Sequence, residues 1–204
     1  TLSHAFILSE DIKFAEETKR FLLKLADRIP KYLIYCGHAY NQYADCDPHY
    51  AVQHIPNLPV IDGKKCPIIV ADPEFQSDTF FEDYGETGRI GSTGSDGEYV
   101  EIMALAYDLV ADAKKDDGSP LFSEEEKKHI EEDLLIESCL LGYFDKKINN
   151  KSTLNIKGCA IVGLVVGNAK LVRFGLDGFD RTFDEYFLKD GSTSQSVTYG
   201  IKTL

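Results

Sequence analysis

The sequence predicts an all-α fold of antiparallel helical hairpins, packed in layers that can curl into a toroid. Apolar residues recur at helical spacing near the N-terminus and again through the second half of the chain. Short Gly-Asn and Asp-Gly connections separate these helical segments, as expected for antiparallel neighbours. Six of the seven prolines fall between residues 30 and 73, where they forbid long helices and favour extended and turn structure.

Length and charge limit the range of functions. The 204 residues, of which 43% are hydrophobic, suffice for one substantial core, so we expect a single, partial domain over residues 1–204 with an irregular insertion at about 30–98. The formal net charge of -12 opposes binding to nucleic acid or an anionic membrane, and we predict neither as a partner. A polyanion could bind only at a locally basic or amide-rich site. The chain reads from its first residues like a helix already in progress, so we also expect a fragment.

The first predicted helix covers residues 10–29 and is amphipathic. Its apolar face comprises Phe14, Phe21, Leu22, Leu25 and Ile29. Pro30 ends it and begins the insertion. Late in the insertion, glycine stands at every third position from Gly85 to Gly97, without the prolines of collagen or the lysine of a phosphate loop. Such a stretch is typical of a surface loop.

Helical periodicity returns at Tyr99. The apolar positions of this helix are Ile102, Met103, Ala106, Leu109, Val110 and Ala113. The next helix begins at Ser123, which is expected to form a capping box with Glu126, each side chain bonding the other residue's free backbone amide. The inner stripe of that helix is Ile130, Leu134, Leu141 and Phe144.

The most apolar helix is predicted at residues 152–166. It is apolar nearly all round, so neighbours should enclose it on most sides, but its longest apolar run is much shorter than the about 20 residues of a membrane span. Asn168 is expected to cap a last helix, which the Lys-Asp-Gly turn at 189–191 ends. The apolar positions of this last helix are Leu171, Val172, Leu176, Phe179, Phe183 and Phe187.

Five cysteines occur, with no CxxC spacing that would indicate zinc or a redox pair. Cys139 and Cys159 lie in helical patterns, so we expect buried free thiols. Asp45, Asp47 and His49 alternate in the stretch DCDPHY like metal ligands, but the alternation around a proline more often makes a turn. We therefore predict neither a metal site nor a cofactor.

Three asparagines surround the start of the most apolar helix: Asn149, Asn150 and Asn155. One of them is expected to cap the helix near Ser152. Three amides exceed the need of one cap, and the surplus could donate hydrogen bonds to a substrate carboxylate as negative charge develops on it. Lys151 could add positive charge, although an exposed lysine after a cap is more often only solvated.

A second polar cluster precedes Tyr199. Ser194 and Gln195 belong to a run of hydroxyl and amide side chains, which forms either a solvated loop or the edge of a cleft. In a cleft, the phenol of Tyr199 could transfer a proton. Glu98 and Glu101 lead into the helix of Tyr99, where negative charge favours the helix dipole.

Four stretches together resemble, in this order, the helical domain of the heparinase II/III-like and alginate-lyase-like polysaccharide lyases. They are EIMALAYDLVADA, LFSEEEKKHIEEDLL, INNKSTLNIKGCAIVGLVVGN and FLKDGSTSQSVTYG, and the similarity spans about residues 99–200. The resemblance implies an incomplete α/α toroid, followed in the full protein by antiparallel β-sandwich domains that this chain lacks. It also implies export, to the periplasm or the outside of the cell.

The resemblance implies β-elimination on an acidic polysaccharide or oligosaccharide that contains uronic acid. In that chemistry an asparagine neutralises the uronate carboxylate, so that the C5 proton becomes acidic, and a tyrosine supplies acid or base chemistry at the glycosidic oxygen. Matched residue by residue, the tyrosine falls on Tyr199 and the asparagine on Asn150, with Asn149 as the alternative. The substrate-binding residues would then be Lys151, Asn155, Ser194, Gln195 and Glu98.

Two positions depart from the family pattern. Lys151 stands where many members have histidine, and Ser194 or Gln195 stands where an acidic residue is common. Two alternatives therefore stay open. One is a noncatalytic carbohydrate-binding toroid. The other is a glycoside hydrolase on the same fold, which needs two carboxylates on either side of a glycosidic bond; no pair stands out in the sequence, and Asp45 and Glu98 stay open as candidates.

Overall fold

The computed structural model describes residues 1–33, 35–36, 47–49, 60–61, 64–65, 87–90, 96–144, 148, 150–188 and 192–193. Most of these residues are helical, so the all-α prediction is confirmed. The strands within the described ranges are two residues long and lie in the predicted insertion. Strand β1 (Tyr35–Cys36) pairs antiparallel with β4 (Thr87–Gly88), and β2 (Val60–Ile61) pairs antiparallel with β3 (Lys64–Lys65).

The described part of the chain contains the following helices in order. They are α1 (Leu2–Ser9), α2 (Ile12–Ala26), a 3₁₀ turn (Ile29–Lys31), α3 (Asp96–Asp108), α4 (Glu124–His129), α5 (Leu140–Phe144), α6 (Ser152–Val165) and α7 (Ala169–Arg181). Helix α4 continues as a π-helical segment, Ile130–Ile136, and α7 continues as a second one, Thr182–Tyr186. Helix α6 packs extensively against both α3 and α7, which places it at the centre of the second half of the chain.

Helix α2 buries part of the predicted face: Leu22 is buried, Ile29 just beyond the helix is buried as well, and Leu25 packs partly against the core. Its carboxylate cap, Asp11, accepts a hydrogen bond from the backbone nitrogen of Lys13 at 3.2 Å. The buried positions are Ala15, Thr18, Leu22 and Ala26. Phe21, which the sequence predicts to lie inside, is 48% exposed. Ala15 and Ala26 belong to the buried core as well, although their small side chains carry little weight in a hydrophobic pattern.

Helix α3 begins at Asp96, three residues before the predicted start. Met103, Val110 and Ala113 are buried as predicted, but Ile102 is exposed. The inner face instead comprises Val100, Met103, Ala104 and Tyr107. Helix α3 carries apolar residues on several sides, so the spacing of its apolar residues did not identify which side is buried.

The predicted capping box at the start of α4 is confirmed. The backbone nitrogen of Glu126 bonds Ser123 Oγ at 3.2 Å, and the backbone nitrogen of Ser123 bonds Glu126 Oε2 at 2.8 Å. The predicted inner residues Ile130, Leu134 and Leu141 are buried; the side chain of Phe144 lies outside the described part. The same carboxylate oxygen of Glu126 pairs with Lys19 Nζ at 2.6 Å, which fastens α4 to α2.

Helices α6 and α7 form an antiparallel hairpin. Asn168 caps α7 as predicted, because its Oδ1 accepts from the backbone nitrogens of Lys170 and Leu171 at 3.1 and 3.3 Å. Three glycines set the register: Gly163 lies against Val172, Gly175 against Ala160, and Gly178 against Ile156. The two helices therefore approach each other closely at these three points, because glycine has no side chain to hold them apart.

The apolar stripe of α7 points mostly outward. Leu171 is buried, but Leu176, Phe179 and Phe183 are exposed, as is Leu164 of α6. The face turned to α6 carries Gly175, Gly178 and Thr182 instead. Glycine packing against α6 thus decides the orientation of α7, and the bulky residues are left on the surface.

Two thiols lie where α6 meets the end of the first π-helical segment. Cys139 and Cys159 are buried free cysteines, which confirms the prediction. Cys159 Sγ lies 3.8 Å from the carbonyl oxygen of Cys139. The hydrogen bond to Cys159 and burial raise the pKa of the Cys139 thiol, so this thiol stays protonated.

His129 joins α2 to the first π-helical segment. Its Nδ1 lies 2.7 Å from Asp133 Oδ2, and its Nε2 lies 3.1 Å from Asp27 Oδ1. The hydrogen bond that His129 donates to Asp133 raises the pKa of His129 above its ordinary value, partial burial lowers it, and the bond to Asp27 raises it further. The charged imidazole thus stabilises the fold.

The Gly175 contact predicts the effect of one added methyl group. In an exposed helix, Gly175→Ala should stabilise by about 1 kcal/mol through helix propensity. Here the new Cβ would lie 2.3 Å from the Cβ of Ala160, so we expect a net loss of about 1–3 kcal/mol in urea unfolding. The reciprocal double variant Gly175→Ala/Ala160→Gly should recover most of that loss. A double variant as unstable as the single one contradicts the contact.

The His129 contacts predict a pH-dependent stability. A raised folded-state pKa gives stabilisation that is complete below the unfolded value of about 6.5 and is lost as pH rises through the folded value. The free energy of unfolding, measured with urea at a series of pH values, should therefore fall above about pH 6.5. His129→Gln and Asp133→Asn should flatten that fall, whereas Asp108→Asn, at an exposed carboxylate of α3, should leave it unchanged. An identical slope in His129→Gln would show that another group is responsible.

Candidate functional site

The first turns of α3 and α6 lie against each other without intervening side chains. A methyl group on Gly97 would lie 2.2 Å from the carbonyl oxygen of Leu154, and one on Gly158 would lie 2.5 Å from the carbonyl oxygen of Gly97. Lys157 Nζ and Glu101 Oε2 form an ion pair at 2.7 Å beside this contact. The starts of two helices, and the positive ends of their dipoles, therefore lie at the same end of the array.

Asn155 fastens the two helix starts together. Its Oδ1 accepts a hydrogen bond from the backbone nitrogen of Gly97 at 3.0 Å, and the residue is 2% exposed. The sequence leaves Asn155 either a structural or a substrate-binding role. Its burial and this bond give it the structural role, because its side-chain oxygen satisfies a free amide of the first turn of α3.

Asp96 organises the chain just before α3. It is buried, and its carboxylate oxygens accept from the backbone nitrogens of Arg89 at 2.7 Å and of Ile90 at 2.9 Å. A carboxylate at a helix start is favoured by the helix dipole. Asp96 therefore fixes the end of the insertion to the beginning of α3.

Arg89, near the end of the insertion, bonds residues at its start and a residue of a distant helix. Its Nε donates to the carbonyl oxygen of Tyr32 at 2.9 Å, and its Nη2 donates to that of Pro30 at 3.2 Å. Its Nη1 pairs with Glu137 Oε1 at 2.6 Å, and the side chain of Arg89 is only 2% exposed. His49 Nε2 lies 2.8 Å from both carboxylate oxygens of Glu137. One buried guanidinium thus links residues 30–32, residue 89 and the helix end at Glu137.

Asn150 and Lys151 lie immediately before α6 and are both half-buried. The helix begins at Ser152, so its cap position is Lys151, whose side chain makes no capping bond. The prediction that an asparagine of this group caps α6 is therefore wrong for Asn150, which stands one residue too early. Instead its carbonyl oxygen accepts from Thr153 Oγ1 at 3.1 Å. Asn150 and Lys151 precede by about one turn the point where Leu154 meets Gly97.

The remaining predicted site residues divide into two groups. Glu98 is exposed in the first turn of α3, where its negative charge is favoured by the helix dipole, as the sequence predicts. Tyr199, Asn149, Ser194 and Gln195 lie outside the described residues. The roles given to these four residues stay predictions.

Within the described ranges, no group of three or more His, Cys, Asp or Glu side chains is placed to hold a metal ion. Asp47 is exposed, His49 contacts Glu137, and Asp45 lies outside the described part. Among the helices of that part, none is both long enough and apolar enough to cross a membrane.

Comparison with known proteins finds no matching family, curated protein or solved structure.

Sequence reasoning missed Arg89, Asp96 and Glu137. The stretch SDG at the start of α3 has the composition of a helix start and could have indicated Asp96. Nothing local marks Arg89 and Glu137 as partners, since they lie 48 residues apart.

The buried ion pair predicts a large stability effect. Glu137→Ala leaves the Arg89 guanidinium buried without its carboxylate, which should cost about 3–5 kcal/mol in urea unfolding. Glu132→Ala is the matched control, because Glu132 is an exposed carboxylate of the same helix; it should change stability by less than about 0.5 kcal/mol. The double variant Glu137→Ala/Arg89→Met should lose less than the sum of its singles. Equal losses in Glu137→Ala and Glu132→Ala would contradict the buried pair.

Proposed function

We propose that this chain is the helical part of a polysaccharide lyase that cleaves a uronic-acid-containing polysaccharide by β-elimination. The observation that carries the proposal is the junction of the α3 and α6 starts, held by the Gly97 N to Asn155 Oδ1 bond of 3.0 Å. Asn150 and Lys151 stand one turn before that junction. An amide, an ammonium group and two positive helix ends there favour an anionic ligand such as a uronate carboxylate.

The proposed fold is an incomplete α/α toroid. Two features support it: the antiparallel α6–α7 hairpin, and the common position of the α3 and α6 starts, as successive inner helices of a toroid would have. Large apolar side chains are exposed on α7 and on α1, where Leu8 is 87% exposed. Such faces suit a layered helical array whose outer helices are covered by further layers. The β-sandwich domains and the export implied by the resemblance belong to the same proposal.

The proposed chemistry assigns one role to each residue. The amide of Asn150 donates to the uronate carboxylate and stabilises the negative charge that develops on it when the C5 proton leaves. Lys151 adds a positive charge. Tyr199, as the phenolate, takes the C5 proton and passes it to the glycosidic oxygen, while the bond from C4 to that oxygen breaks and a C4–C5 double bond forms.

A noncatalytic carbohydrate-binding protein is the second candidate. The observation that favours it is Lys151 at the position where many lyases of the resembled family have histidine. Such a protein would use the same junction for binding and would leave the polysaccharide intact.

A cleavage assay separates these functions. The full-length protein, incubated with alginate and with heparan sulfate, should generate the ultraviolet absorbance of an unsaturated uronate together with new reducing ends. Reducing ends without that absorbance would show hydrolysis, and intact polymer that is nevertheless bound would show the second candidate. Either of these results overturns the lyase proposal.

Variants then test the roles. Tyr199→Phe should lower the elimination rate by about 10²–10⁴-fold, and Asn150→Ala should lower it by about 10²–10³-fold. Asn168→Ser, which keeps a cap on α7 and lies at the opposite end of the hairpin, is the matched control and should retain the rate. Circular dichroism establishes that each variant is folded. Full activity in folded Tyr199→Phe removes that residue from the mechanism.

A further inference from the structure

A cleft of about 430 Å³ runs along α7, bounded by α5 and α6. The rings of Tyr143 and Phe174 form one wall, with centroids 5.1 Å apart. Ile156 packs against the backbone of Gly178 and forms the floor. The volume lies in the range of sites that hold a small ligand or a short piece of a polymer.

The cleft is locally basic in an acidic chain. Its lining includes three cations, Lys170, Arg173 and Arg181, and one anion, Asp177. Arg173 bonds Asp177 through Nε at 2.9 Å, and its side chain is 76% exposed. Because a guanidinium carries five N–H donors, this pairing leaves donors that face the solvent. Arg181 pairs with Glu185 beside the cleft at 2.7 Å, so three cations face two anions and one net positive charge remains. That local charge favours an anionic ligand even on a protein of net charge -12.

The register of the hairpin gives the cleft a direction. Gly163 lies against Val172, whereas Gly178 lies against Ile156, so the C-terminal end of α7 lies near the start of α6. Lys170 and Arg181 are separated by about 16 Å of helix. The row of cations therefore extends from the hairpin turn toward the end of α6 that carries Asn150 and Lys151.

We propose that this cleft binds an acidic oligosaccharide segment along α7 and directs it toward Asn150 and Lys151. Carboxylated sugars have carboxylates that the cations attract, and they have ring faces that can pack against Tyr143 and Phe174. A nucleic acid fits less well, because its denser charge would meet Asp177 and the net charge of the chain. The inference rests on the proposed function in that the ligand is a segment of the same polymer.

Binding of a galacturonate tetrasaccharide to the full-length protein, measured by calorimetry, tests the cleft. The Tyr199→Phe background prevents consumption of the probe. Lys170→Gln and Arg173→Gln should each raise the Kd by about two- to fivefold, the effect of one exposed charge pair. Asp177→Asn should lower the Kd by a similar factor, because it removes the one anion of the lining and releases Arg173. Misfolding cannot produce that gain in affinity.

Arg20→Gln is the matched control, since Arg20 is an exposed arginine paired with Glu17 on α2, away from the cleft; its Kd should equal that of the background protein. A neutral glucose tetrasaccharide should bind more weakly than the uronate, and so should a single-stranded oligonucleotide of equal charge. Unchanged affinity in the cleft variants, or equal affinity for either comparison ligand, overturns the inference.

The outcome is separable from that of the proposed function. Loss of uronate binding in the cleft variants, in a protein that cleaves no uronate, supports the cleft and refutes the lyase. If the protein cleaves uronate and its cleft variants bind normally, the lyase is supported and the cleft is refuted.

Discussion

The close backbone contact between Gly97 of α3 and Gly158 of α6 is the constraint on which the rest of the structure depends. It leaves no room for a side chain at either position, and the bond from Gly97 N to Asn155 Oδ1 satisfies an amide that the contact buries. Helix α6 is thereby fixed in place, and three further glycines fix α7 against α6. The cleft and the candidate site are both consequences of this glycine-mediated packing, since each is bounded by helices that α6 positions.

Charge couples the insertion to this helical unit. Arg89 is buried and bonds the chain on both sides of the insertion, while Asp96 holds Arg89 and Ile90 at the start of α3. Burying a guanidinium costs several kcal/mol of desolvation, which only a full set of partners offsets. The arrangement therefore specifies one geometry strongly, because any displacement of residues 30–32 or of Glu137 would leave a buried donor without its acceptor.

The features that the sequence predicts well are local ones. The Ser123–Glu126 capping box and the Asn168 cap join residues three or fewer positions apart, and their chemistry is complete in a short stretch. The buried face of α7 was predicted less well, because its glycines pack closely against α6, and that of α2 was predicted only in part. Arg89 and Glu137 escaped prediction for the same reason, as their pairing depends on the tertiary fold. Asn155 was left open by the sequence, and only its bond to Gly97 shows what it does.

Helix α7 has three faces with different surroundings. Its glycine face packs on α6, its basic flank lines the cleft, and its aromatic face is exposed, with the Phe179 and Phe183 rings 4.9 Å apart. Pairing of Arg173 with Asp177 and of Arg181 with Glu185 keeps the basic flank from repelling itself in the absence of ligand. These pairs also weaken the field that a ligand meets, so an acidic polymer would be held at each position only loosely. Several weak contacts along one helix can still add up to a useful affinity, because each contact raises the effective concentration for the next.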